Sequence, residues 1–466
     1  MKNGLNRREF LSTAAVAGAI GTLGAGTMLA SCTSGGATPA ADKLVPLLPA
    51  DQVYIPNLTD KAPDGKPLKA ILVGCGGRGS GAIADFLKAA DGVTCVALAD
   101  TFEDRLKGVQ SMLKEQFNIE VPDANCFVGF DAYKKALAVD CDVMINATPP
   151  AFRPQHFKAA IDAGKHCFLE KPVGVDPVSL RTLIAASKKA DAQKLCVVTG
   201  TQRRHERNYV ASYEQIQSGL IGEITGGAVY WNQGMLWYRE KQNEWTDMEW
   251  MIRDWVNWTW LSGDHVVEQH VHNIDVFEWM AHKKPVSALA FGARHRRITG
   301  NQYDMFSADV TYEGNVHMHS MCRQIDGCTN SYNEFVQGTK GSWWNGDMAI
   351  RNLKGEILWQ YDTEKQNAEF KQNNAYVLEH VDLITHIRKG THINEAEATG
   401  ISTMIAVMIR QSAYTGQLVK WEDIYNSSLD ILPTEDEMKL GPMDMEKFGS
   451  MPIPGRGREE RRRRQS

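Results

Sequence analysis

The sequence has no surplus of positive charge, no evident internal repeat and few cysteines. Its 51 Lys and Arg stand against 56 Asp and Glu, a formal net charge of -5. That balance removes the electrostatic reason to expect nucleic acid as a partner, and a small, neutral or weakly charged ligand fits better. At 466 residues the chain exceeds one ordinary core, so two folded domains with appendages are expected. Of nine cysteines, Cys95, Cys141, Cys167 and Cys196 lie in apolar, strand-like runs where a thiol behaves as a small hydrophobe. Cys322 and Cys328 are close enough in sequence to leave a pairing open.

What the amino terminus does contain is a leader. Asn6-Arg7-Arg8-Glu9-Phe10-Leu11 sets twin arginines before an apolar stretch rich in Ala and Gly, which ends in Leu29-Ala30-Ser31-Cys32. The pattern resembles a Tat signal closed by a lipobox, which implies export and a lipid on Cys32 holding the protein to a bacterial membrane, on the periplasmic side. The stretch is too short and too Gly-rich to read as a transmembrane helix. Tat cargo folds in the reducing cytoplasm, so most of the remaining thiols are expected free. Residues 33–66, rich in Ala, Pro, Ser and Gly, read as a tether, and the charged end of the chain, 441–466 with its Arg456 to Arg464 run, as a solvated tail.

Residues 67–200 alternate between strand and helix patterns. Lys69-Ala70-Ile71-Leu72-Val73 is a buried-strand run, followed at once by Gly74-Cys75-Gly76-Gly77-Arg78-Gly79 and a helical pattern. This is G-x-G-x-x-G between strand and helix, where glycines give the tight turn, the close approach of pyrophosphate and tight helix packing. The helix amino terminus then faces the phosphates. About twenty residues on, a second strand ends in Asp100, placed to accept ribose hydroxyls; this favours NAD, while Arg105 nearby keeps NADP open. Asp142 to Pro150 reads as a parallel strand ending in a polar turn, and His166-Cys167-Phe168-Leu169 ends in Glu170-Lys171-Pro172 at the carboxyl edge of the sheet, where ligands of such folds bind.

The run Ala147-Thr148-Pro149-Pro150, the segment Ala163-Gly164-Lys165-His166 and above all Glu170-Lys171-Pro172 resemble the Gfo/Idh/MocA family. The likeness extends from about Lys69 to Leu440. It implies an α/β protein: an N-terminal Rossmann dinucleotide-binding domain, then an α+β domain over 201–440 with an open, mostly antiparallel sheet, and subunits that pair into homo-oligomers. It implies Lys171 near nicotinamide and substrate, with Pro172 in a cis peptide. Cofactor contacts are expected from Gly74, Gly76, Gly77, Arg78, Gly79, Asp100, Arg105, Thr148, Pro149, His156, Glu170 and Lys171.

Beyond Gly200, tryptophan and tyrosine accumulate. Thr225–Trp231, Val286–Ala293, Phe306–Tyr312, Val316–Met321 and Ser331–Gln337 read as strands. The richest stretch chemically is Ser262 to Trp279, read as one helix. In relatives an aspartate stands four residues before a histidine, with a further aspartate after it; here Glu268, His272 and Asp275 take those places, and His270 replaces a common glycine. On one helix, Glu268, His272 and His265 share a face. His272 then suits a base that removes a hydroxyl proton as hydride leaves carbon, with Lys171 binding that hydroxyl and Glu268 orienting the ring or binding another hydroxyl. His265, Glu268 and His272 could also ligate a metal, with His317 and His319 as distant candidates. No fourth ligand is identifiable and hydride transfer needs no metal, so none is assigned. Arg203, His205, Trp231, His265 and Asp275 are expected to bind substrate. Half or fewer of the tryptophans from Trp231 to Trp260 are expected to offer rings to a sugar, the rest forming core.

The function expected is an exported oxidoreductase acting on a hydroxyl of a sugar, glycoside or polyol with tightly held, recycled NAD. A glycosidase working by transient oxidation and a non-catalytic sugar sensor are the alternatives.

Overall fold

The computed structural model describes residues 44, 46–49 and 52–455. The twin-arginine leader, Cys32 and the Arg456 to Arg464 run lie outside the described residues.

The first domain is a six-stranded parallel sheet, ordered β3-β2-β1-β4-β5-β6. Its strands are β1 (Leu68–Val73), β2 (Val93–Asp100), β3 (Cys126–Val128), β4 (Val143–Asn146), β5 (His166–Leu169) and β6 (Val197–Thr199). β1, β4 and β5 are almost wholly buried because helices cover both faces, which is why they read as continuous apolar runs rather than alternating ones. Sheet order runs in opposite senses from β1 and from β4, so the carboxyl ends of those two strands flank a crevice, the usual ligand position in such sheets. Helix Pro177–Ala192 is fixed at its start by a reciprocal capping box between Asp176 and Ser179, with Pro177 in the first turn.

The second sheet has nine strands, ordered β14-β13-β12-β11-β7-β10-β9-β8-β15. They are β7 (Ile224–Gln233), β8 (Pro285–Ala293), β9 (Met305–Tyr312), β10 (Val316–Gln324), β11 (Ser331–Gly338), β12 (Gly341–Trp344), β13 (Ala349–Asn352), β14 (Ile357–Gln360) and β15 (Val419–Lys420). Only β7 and β10 run parallel; every other neighbouring pair is antiparallel. The five strands expected from alternation are present, lengthened by one to three residues. Helices Val271–Ala281 and Ala396–Thr415 cover one face. The other leaves Leu289 and Phe291 in solvent, Phe291 at 72% exposure.

The two domains interlock. Helix Ala396–Thr415 also packs on Pro177–Ala192, and helix Ala375–Lys389 packs on the first helix of the parallel sheet, Gly77–Ala89. Late chain is therefore built into the early domain.

Two expected appendages prove to be packed. In the tether 33–66, the stretch from Gln52 onward lies on the body: Tyr54 donates to Asp382 at 2.8 Å, Leu58 and Ala62 are buried, and the Ala62 amide donates to the Ala89 carbonyl at 2.8 Å. Of the tail, residues 441–455 return to the fold, where Phe448 is buried in a cluster with Trp258 and Trp260. Apolar anchors too sparse to register as periodicity hold both segments. All eight cysteines among the described residues are free, including Cys322 and Cys328. No helix among those residues is long and apolar enough to cross a membrane.

Helix Val271–Ala281 carries a pH-sensitive group. Burial, and then the charge of Asp275, push the Glu278 carboxyl up to about 8, and its Oε2 has no hydrogen-bond partner. A folded-state value above the unfolded one favours the protonated group, so this contribution is complete below about pH 4.5 and is lost as pH rises through 8. Glu278→Gln is expected to leave the melting temperature at pH 5 nearly unchanged and to add about 1–3 kcal/mol of stability at pH 9. Equal shifts at both pH values would rule this out.

Candidate functional site

A cavity of about 410 Å³ opens at the carboxyl ends of β1, β2 and β4. Gly74, Gly76, Gly77, Arg78, Asp100, Arg105, Thr148, Pro149 and His156, all expected to contact cofactor, line it. Gly74 has φ +92, and a Cβ there would lie 2.6 Å from the Thr148 amide nitrogen, so the turn admits only glycine. A Cβ on Gly76 or Gly77 would meet nothing within 4 Å. That open space lies before the amino terminus of helix Gly77–Ala89, which no side chain caps. A helix start without a side-chain cap, beside space that no Cβ fills, fits a dinucleotide pyrophosphate. Gly79 does not line the cavity; its missing Cβ would stand 1.8 Å from the Gly74 carbonyl oxygen, so it serves helix packing.

Asp100 stands where the ribose is expected. Its carboxylate accepts the Cys75 amide at 2.6 Å and the Phe102 amide at 2.8 Å, while burial raises its pKa against those bonds. His156 is pushed down to about 3 by burial and by Arg153, so it is a neutral ring; it packs against Tyr133 with centroids 4.2 Å apart. Glu170 is not a wall of the cavity. It is buried and paired with Arg78, whose guanidinium also reaches Asp85 at 3.3 Å and lies 4.6 Å from the centroid of Tyr376. Glu170 therefore supports Arg78 from behind.

Next along the sheet edge the Lys171–Pro172 peptide is cis. Lys171 donates through Nζ to the Glu268 carbonyl at 2.6 Å and to its Oε1 at 3.2 Å. Glu268 Oε2 is buried without a partner. His272 stacks on Trp231 at 5.3 Å and 21°, and Trp231 meets Tyr332 edge-on at 5.1 Å. Burial, then the Lys171 charge, hold the His272 imidazole far below its usual value, so the resting ring is neutral. Arg203 lies 5.5 Å from the Trp231 ring centroid and is tied to Glu334, which also accepts from Tyr209 at 3.0 Å. Lys171 and Glu268 thus form a pair, and His272, Trp231 and Arg203 a stack on which the Lys171 charge acts.

Three expected substrate residues are engaged elsewhere. His205 is buried against Asp382 at 3.1 Å and Glu395 at 3.7 Å. Asp275 holds Arg204 through two bonds of 2.8 and 2.9 Å and accepts from Ser402 at 2.8 Å. His265 turns its Nδ1 to Asp264 and the Tyr303 carbonyl, both at 3.1 Å. The continuous helix expected from Ser262 to Trp279 is broken into Thr259–Ser262, His265–Glu268 and Val271–Ala281. Gly263 and Asp264 both have positive φ, and Asp264 caps the second piece. The break points His265 away from Glu268 and His272, so that ligand trio is not assembled. Among the described residues no group of three or more His, Cys, Asp and Glu is placed to hold a metal.

Sequence reading also missed part of the cavity wall. Phe130 and Tyr133, from the loop and helix after β3, and Trp237, Arg253 and Trp255, from the connection after β7, face the same space. The aromatic density of 231–260 was visible, but it pointed to a sugar.

The family model of the Gfo/Idh/MocA oxidoreductases, NAD-binding Rossmann fold, matches residues 68–199. Over those residues the chain is similar to the NAD-binding Rossmann domain of that family. Among curated proteins it is 27% identical over 230 residues to a glycosyl hydrolase family 109 protein of Streptomyces coelicolor, covering 48% of this chain and 44% of that one. It is 27% identical over 213 residues to an inositol 2-dehydrogenase of Salmonella typhimurium, covering 46% and 54%. The match thus spans about half the length of each curated relative. Among solved structures, the scyllo-inositol dehydrogenase from Lactobacillus casei with bound NAD(H) and scyllo-inositol shares the fold. Its TM-score is 0.57 at 18% identity, over 76% of this chain and 99% of that one. A Rossmann domain followed by a mostly antiparallel sheet is the fold observed here.

Proposed function

We propose that this protein is an exported, NAD-dependent oxidoreductase acting on a CH–OH group of a sugar, glycoside or polyol, with the cofactor retained and recycled. The observation that carries the reading is the joining of Lys171 to Glu268, with neutral His272 packed on Trp231, on the edge of the dinucleotide sheet. Lys171 donates a hydrogen bond to the reacting hydroxyl and stabilises the oxygen as its proton leaves. His272 accepts that proton, and Trp231 and Arg203 hold the far side of the ring or chain. Bound NAD supplies the hydride acceptor.

The twin-arginine leader and Cys32 support export and lipid anchoring on the periplasmic side. Outside the cytoplasm no soluble NAD pool would reoxidise an exchanging cofactor, which is the reason for retention and for recycling by a second substrate or a returned hydride. The uncovered sheet face with Leu289 and Phe291 supports self-association.

A second reading, glycoside cleavage by transient oxidation, is favoured by one observation. The buried, unpartnered Glu268 Oε2 lies beside Lys171, where a carboxylate can take the proton from the carbon next to an oxidised centre. The name of the Streptomyces coelicolor relative agrees with this. Both readings are tested by following nicotinamide absorbance and released aglycone over a panel of polyols, aldoses and aryl glycosides. Reduction without cleavage is expected; cleavage without accumulated reduced cofactor selects the second reading, and neither signal with any compound refutes both.

A further inference from the structure

The outer wall of the dinucleotide cavity does not come from the Rossmann domain. Trp237, Arg239, Ile252, Arg253 and Trp255 line it, and all lie in the connection between β7 and helix Val271–Ala281. They stand opposite Asp100, Thr101, Phe102 and Arg105, so they meet the end of the cavity where the adenosine part belongs.

This connection is stiffened from within. The Arg239 amide donates to buried Asp254 at 2.7 Å, Trp250 Nε1 donates to the Arg239 carbonyl at 2.7 Å, and Asn257 Nδ2 donates to Asp254 at 2.8 Å. Trp237 meets Trp255 edge-on, with centroids 6.1 Å apart, yet keeps 45% of its surface exposed. A tryptophan so exposed beside a cavity offers a face on which a purine can stack.

An apolar cluster in which Met248, Met251 and Ile252 pack with Phe102, Ala151 and Val175 seats this plate on the Rossmann domain, and Arg253 adds the polar tie at the cavity rim. Arg253 donates to both oxygens of Asp104, at 3.0 and 3.1 Å, and to Glu249 at 2.9 Å. Its guanidinium also lies 3.9 Å from the Phe102 ring centroid, two residues past Asp100. A two-pronged pair reinforced by stacking fixes orientation as well as contact.

We propose that residues 237–255 are the outer half of the dinucleotide site, closing over the adenosine end with Arg253 and Asp104 as the latch, so that bound NAD exchanges only when the latch opens. The inference rests on the reading that NAD is retained. It locates the barrier to exchange in the substrate domain, 149 residues from its Rossmann partner.

The test loads the full-length protein with NAD, adds excess etheno-NAD, and follows exchange by fluorescence after rapid desalting, for wild type, Arg253→Ala and Asp104→Asn. Slow exchange in the wild type and at least tenfold faster exchange in both variants are expected, and raised salt should speed the wild type more than Arg253→Ala. Asp104→Asn alters an exposed side and keeps the test valid should Arg253→Ala not fold. A slow wild type with equally slow variants overturns the latch and leaves retention standing. A wild type that exchanges as fast as its variants overturns both.

Discussion

Lys171→Ala is expected to slow single-turnover reduction of bound NAD by about 10²–10⁴-fold, the range for removing a positioned proton-transfer or hydrogen-bonding group. Lys171 is the one cation hydrogen-bonded to Glu268 among the described residues, and its charge acts on the His272 imidazole. Removing it also breaks an ion pair whose side chains are 10% and 8% exposed, so some stability is lost as well. Single-turnover measurement on protein shown to be folded and NAD-loaded separates the two effects. His272→Ala is expected to show the same loss with NAD content unchanged. Near-normal rates in both variants would remove Lys171 and His272 from the chemistry.

The second large effect is on stability. Arg204 sits with its guanidinium 5.6 Å from the Trp279 ring centroid and grips Asp275, which is 1% exposed. Arg204→Ala leaves Asp275 uncompensated beside Glu278, and a broken buried pair costs about 3–5 kcal/mol. A fall of about 5–15 °C in melting temperature is expected from a change of that size. The double substitution Arg204→Met/Asp275→Leu should recover much of the loss, because no buried charge is then left alone. A single variant that melts with the wild type would show that water reaches Asp275.

The Rossmann half was legible because its chemistry is local. The glycine turn, Asp100 and the Glu170-Lys171-Pro172 run each sit at the end of a strand whose apolar run marks it, so spacing alone places them on one sheet edge. The substrate half was legible as strands but less so as a site. Asp264 breaks the expected helix by accepting from the Tyr303 amide and the Tyr414 hydroxyl, 39 and 150 residues away, and no local pattern carries that information. His205 and Asp275 match the composition of a sugar site, yet the long-range partners Asp382 and Arg204 consume them. The tryptophans around Arg253 illustrate the same limit, since only the fold brings that segment over Phe102. Chemistry within one strand end can be read from sequence; chemistry assembled from distant carboxylates and arginines needs the packing.

Retention of the cofactor is the claim most exposed to a direct measurement. The protein is purified without added dinucleotide and denatured, and the released nucleotide is identified and counted against protein. Close to one NAD per chain, surviving gel filtration, is expected. An empty protein that binds added NAD only weakly and releases it freely would contradict it.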